Sequence, residues 1–108
     1  GMVVTVVVAP VTLQITVADR ADDLPIQNVQ TSIHLADSPF TELMNEDTTA
    51  SGIASESYAG ATPVDIVWKT RKSDDLDNPR YFAQSGKGEI TTAGFTLSVL
   101  MEENTIIP

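Results

Sequence analysis

Val11-Thr12-Leu13-Gln14-Ile15-Thr16-Val17 is the stretch that decides the fold. Apolar Val11, Leu13, Ile15 and Val17 alternate with polar Thr12, Gln14 and Thr16. A period of two puts the first set on one face of a strand and the second set on the other. Most of these residues are β-branched, which suits a pleated surface better than a helix. The same alternation returns three times. Val29, Thr31, Ile33 and Leu35 alternate with Gln30, Ser32 and His34, and Val64, Ile66 and Trp68 alternate with Asp65, Val67 and Lys69. Phe95, Leu97, Val99 and Met101 alternate with Thr96 and Ser98. Trp68 shares a face with two core residues and is expected to anchor the core.

Shorter pieces fill the intervals. Residues 40–44 read as a short strand in preference to a single helical turn, and residues 53–58 as a strand after the Ser51-Gly52 turn. Tyr81 and Phe82 form a short strand, Ser85-Gly86-Lys87-Gly88 a turn, residues 89–92 a small edge strand, and Ala93-Gly94 a further turn. Residues 19–24, 37–39 and 72–79 are polar loops. Seven to nine short strands without a helix of useful length give an all-β, two-sheet, immunoglobulin-like β-sandwich, with a closed barrel as the second choice. The division expected is an N-terminal strand or arm over residues 1–10, the sandwich over residues 11–104 and a tail over residues 105–108.

Composition narrows the function. The chain has 108 residues, enough for one core. No window reaches the roughly 18–20 apolar residues of a membrane helix, so membrane insertion is not expected. Fifteen acidic residues against six basic ones give a net charge of −9, which disfavours nucleic acid and anionic membranes. Cysteine is absent, which removes disulfides, thiolate chemistry and sulfur-held zinc. Gly1 ahead of Met2 reads as the remnant of a cleaved tag before a native start, with no secretory signal behind it.

Catalytic patterns are missing. His34 is the single histidine and lies on the polar face of its strand, so it cannot form a two-histidine metal site by itself, and although Ser, His and Asp are all present, no G-x-S-x-G elbow marks a triad serine. Asp74, Asp77 and Asn78 form the best of three carboxylate groups for calcium, but none has the spacing or the turn glycine of a calcium loop, and a solvated loop explains them better. Gly86 and Gly88 lie between strands and open no helix, so they cradle no phosphate. No enzyme activity and no cofactor are expected.

The more telling feature is Val3-Val4-Thr5-Val6-Val7-Val8. An uncharged β-branched run is an aggregation hazard unless something covers it. Either it pairs within the domain or it packs on another chain, and Val3, Val4, Val6, Val7 and Val8 are the candidate interface residues. The expected partner is another protein or a second copy of this chain in a homo-oligomer. The alternative is a carbohydrate- or protein-binding module that uses the loops at residues 19–24, 37–39 and 72–79.

Several short motifs add a resemblance. Ala18-Asp19, then Pro25-Ile26-Gln27-Asn28-Val29, Thr48-Thr49-Ala50-Ser51-Gly52 and the block from Tyr58 through Pro63 to Val67 resemble the carboxypeptidase-regulatory-like, or transthyretin-like, β-sandwich family. That block, with residues 69–72, Tyr81, Gly88-Glu89-Ile90 and residues 94–99, also looks like immunoglobulin-like repeats in structural proteins of tailed phages. The resemblance implies a scaffold on a virion or an extracellular surface. Enzymes among transthyretin-like proteins that hydrolyse a purine breakdown product use His and Arg residues plus a C-terminal Tyr-Arg-Gly-Ser. This chain has one His and ends Thr105-Ile106-Ile107-Pro108, so that activity is not carried over.

Overall fold

A computed structural model describes residues 10–38, 40–72 and 80–104. Its seven strands are β1 (Val11–Asp19), β2 (Gln30–Leu35), β3 (Glu42–Asp47), β4 (Ile53–Tyr58), β5 (Val64–Lys72), β6 (Tyr81–Ile90) and β7 (Phe95–Met101). They form a three-stranded sheet in the order β4-β1-β7 and a four-stranded sheet in the order β3-β2-β5-β6. Among the described residues there is no helix. The protein is a β-sandwich, and β1 and β7 make its parallel pair.

The alternating residues sort as their period requires. Leu13, Ile15 and Val17 of β1, Ile33 of β2, Ile66 of β5 and Val99 and Met101 of β7 turn inward and are buried. Met44 and Ile90 complete the contact between the sheets. Each such side chain removed from water contributes about 1.5–3 kcal/mol before ordering costs are subtracted. A one-residue slip in any of these ladders would put that set in solvent, so the core fixes the register.

Three local expectations need correction. Residues 81–92 do not form two short strands around a turn, because β6 runs unbroken from Tyr81 to Ile90 and pairs with β5 along its length. Gly86 and Gly88 are strand residues whose missing side chains make room for aromatic rings. A Cβ at Gly86 would lie 2.7 Å from the Trp68 indole, and one at Gly88 would lie 2.6 Å from the Phe95 ring. The third strand begins at Glu42, not at Phe40, which is fully exposed in the preceding turn. Trp68 does face inward, but it is half-buried at the edge of the core.

The crossing from β1 to β2 is tied down by one side chain. Thr48 is buried, its hydroxyl donates to the Ile26 carbonyl at 2.7 Å and accepts from the Val29 N–H at 2.9 Å. Ile26 and Val29 are thereby held in the core although neither belongs to a strand. Gly52 closes the β3-to-β4 turn at φ 75°, where any Cβ would strike the Val17 carbonyl oxygen.

Candidate functional site

The two sheets differ in what they show to solvent. On the four-stranded sheet, Asp47, Asp65, Lys69, Arg71, Lys87 and Glu89 project outward by alternation and register. On the three-stranded sheet, β1 projects Thr12, Gln14, Thr16 and Ala18, β4 projects Ile53, Ser55 and Ser57, and β7 projects Thr96, Ser98 and Leu100. None of these carries a charge, in a chain whose net charge is −9.

Register arranges this neutral face in rows. Ser57 stands beside Thr12, Gln14 stands between Ser55 and Thr96, and Thr16 stands between Ile53 and Ser98. The last row is apolar, with Ala18 between Leu100 of β7 and Pro25, which returns from the loop to bridge Ala18. Because the central residue is small, the row is a trough. It belongs to a groove of about 300 Å³ whose floor includes Thr16, Ala18 and Ser98, with Pro25 and Leu100 as walls and Asp23 on its lining. Leu100 is 44% exposed, although its neighbours in sequence are buried.

Of the four edge strands among the described residues β7 is the one without charge, since β4, at the other edge of the three-stranded sheet, carries Glu56. β3 has Glu42, Glu46 and Asp47, and β6 has Lys87 and Glu89, charges of the kind that discourage a foreign strand. β7 has no charged residue, and its pairing with β1 runs without a register shift.

Two polar clefts lie elsewhere on the surface. One, of about 270 Å³, lies at the end of β1 and is lined by Asp19, Asp22, Gln27, Lys72 and Tyr81 among others. The Tyr81 hydroxyl donates to Asp19 Oδ2 at 2.6 Å, and Asp19 Oδ1 accepts from the Ala21 N–H at 2.7 Å. The tyrosine bond and then the Ala21 bond hold the Asp19 carboxyl below its usual range. Burial, reinforced by Asp19, pushes the Tyr81 phenol well above its usual value. Both groups are moved away from neutrality, the opposite of what proton transfer near pH 7 needs. The pair pins one sheet to the other across 62 residues of sequence. The second cleft, about 340 Å³, lies on the four-stranded sheet among Gln30, Ser32, Lys69, Arg71, Gln84 and Ser85.

The residues singled out in the sequence are not gathered into one site. His34 lies on the outer face of β2 with Nε2 3.4 Å from Glu42 Oε2. Asp74, Asp77 and Asn78 lie outside the described residues, as do Val3, Val4, Val6, Val7 and Val8. Among the described residues no group of three or more His, Asp or Glu side chains is placed to hold a metal ion. Nor is any helix among them long and apolar enough to cross a membrane. Of the three loops proposed as one binding end, those at residues 19–24 and 37–38 lie at opposite ends of the sandwich, and residues 73–79 of the third lie outside the described residues. Ala36, just after β2, bonds to Asp65 near the start of β5, whereas the loop at residues 19–24 lies beside Lys72 at its finish. A strand of that length separates them by roughly 20 Å.

The chain matches no protein-family model and no curated protein.

Proposed function

We propose that this chain is a non-catalytic structural module whose work is assembly with another protein or with a second copy of itself. The observation that carries the reading is the uncharged outer face of the three-stranded sheet, set against a net charge of −9. Charge elsewhere keeps such a molecule soluble and makes copies repel. A neutral face with an exposed leucine is where contact costs least desolvation and least repulsion. The resemblance to transthyretin-like sandwiches and to immunoglobulin-like repeats of tailed phages adds a setting, a phage virion or a cell surface.

The test is the absolute mass in solution by light scattering, at several concentrations, for the full chain and for one lacking residues 1–9. The seven strands among the described residues all lie after residue 9, and far-ultraviolet circular dichroism checks that the shorter chain keeps them. Association that is lost on truncation supports the reading. Removal of these residues without change in mass or stability takes away the role of the valine run.

A second reading, a carbohydrate- or protein-binding module, draws on the cleft beside the loop at residues 19–24. Its test is a glycan or calcium titration followed by amide spectra. Unmoved signals for Asp19, Asp22 and Gln27 would count against it.

A further inference from the structure

We infer that the groove at the end of the three-stranded sheet, floored by Thr16, Ala18 and Ser98 and walled by Pro25 and Leu100, receives residues 3–8 of a second copy of this chain. The inference rests on the assembly reading and names its two contacting surfaces.

Chemical match is the first ground. The chain has one long uncharged run of β-branched residues, Val3-Val4-Thr5-Val6-Val7-Val8, and one sheet face without charge. In an extended segment Val4, Val6 and Val8 share a side, a continuous apolar stripe, while Val3, Thr5 and Val7 share the other. The groove offers the complementary surface. Its apolar row of Pro25, Ala18 and Leu100 takes valine side chains, and the hydroxyls of Thr16 and Ser98 lie beside it. The groove carries one charged group on its lining, Asp23, whereas the other large clefts carry more, Lys69 and Arg71 in one and Asp19, Asp22 and Lys72 in the other, which a valine run would desolvate without replacing their partners.

Reach is the second ground, and it selects a second copy over the chain's own segment. Val8 is joined to Val11, the first residue of β1, by three Cα steps, at most about 11 Å. Rising onto the sheet's outer face consumes about 10 Å of that, the spacing of stacked β layers. Doubling back over its own sheet, the segment from Val8 to Val3 then covers about 17 Å, at ~3.3 Å per residue. Ala18 and Leu100 stand about 23 Å from Val11 by the same measure. The segment falls short of the apolar row of its own chain by roughly two residues, a limit that does not apply between copies.

Two full-length variants test the pairing. Leu100→Asp puts a charge into the acceptor groove at an exposed position, and Val6→Asp puts one into the donor segment. Each alone is expected to be monomeric at concentrations where the unmodified chain associates. An equimolar mixture of the two is expected to recover a 1:1 complex, because each variant retains the part the other lacks. Ser57→Asp, on the same face but far from the groove, is expected to associate like the unmodified chain. Near-ultraviolet circular dichroism checks that each variant is folded, and if Leu100→Asp is not, Ser98→Asp takes its place. Association that survives Leu100→Asp or Ser98→Asp would overturn the groove as acceptor while leaving the assembly reading standing, and so would a mixture that stays monomeric. An unmodified chain that is monomeric at every concentration would overturn both.

Discussion

Replacing Thr48 by valine removes a hydroxyl and changes almost nothing in size. Thr48 is buried, and its hydroxyl serves two main-chain groups, the Ile26 carbonyl and the Val29 N–H. Both bonds are buried, so neither group gains water when the hydroxyl is lost. A buried group left without a partner costs about 1–3 kcal/mol. Two of them, offset by about 1 kcal/mol for exchanging a hydroxyl for a methyl, give a net loss of about 1–5 kcal/mol. For a domain of about this size that lowers the melting temperature by roughly 5–25 °C. Thr48→Ser keeps the hydroxyl, loses one buried methyl and should cost about 1 kcal/mol. Urea unfolding followed through Trp68, the one tryptophan, measures both. A Thr48→Val loss below 1 kcal/mol, or no larger than that of Thr48→Ser, would refute the view that this side chain holds the β1-to-β2 crossing.

Other substitutions carry different signs. Thr70 Oγ1 is buried without a hydrogen-bond partner, so Thr70→Val should raise stability by about 1 kcal/mol, and urea unfolding that shows a loss would contradict this. Tyr81→Phe should weaken one pH dependence visible in melting curves, that of Asp19, which keeps its Ala21 bond, and remove another, that of the phenol. Asp19 is depressed in the folded chain, so its stabilisation is present above the usual carboxylate value near 3.8 and is lost as pH falls through the folded value. Tyr81 is raised, so its stabilisation is complete below its ordinary value of 10.0 and is lost as pH climbs toward the folded value. The difference between the parent chain and Tyr81→Phe should therefore shrink on both the acid and the alkaline side. Gly86→Val should displace the Trp68 indole, shift its emission to the red and cost about 1–3 kcal/mol, and an unchanged spectrum would show that the ring does not lie there.

Much of the fold is legible in the residues, because burial on one face leaves a period of two. The strands around Leu13, Ile33, Ile66 and Val99 announce themselves in that way. β6 does not, since Ser85-Gly86-Lys87-Gly88 has the composition of a turn, and its two glycines serve rings that come from Trp68 and Phe95 elsewhere in the chain. β3 is blurred because it is an edge strand whose outward positions are acidic like a loop. The Asp19 to Tyr81 bond left no local sign, since its partners are 62 residues apart and neither is unusual where it stands. The neutral face is half legible. Thr12, Gln14, Thr16, Thr96 and Ser98 show as the polar phase of their strands, but only strand order places them side by side. The groove depends on Ala18 standing between Leu100 and Pro25, which no spacing in the sequence reveals.

The central claim, that this molecule joins its partner through the three-stranded sheet, is tested most directly by amide spectra recorded on the full chain over a wide range of protein concentration. Concentration-dependent shifts are expected at Thr16, Ala18, Ser98 and Leu100, with Lys69, Lys87 and Glu89 of the other sheet unmoved. Shifts confined to the four-stranded sheet, or a spectrum that does not change with concentration while added partner proteins also leave the neutral face unmoved, would contradict it.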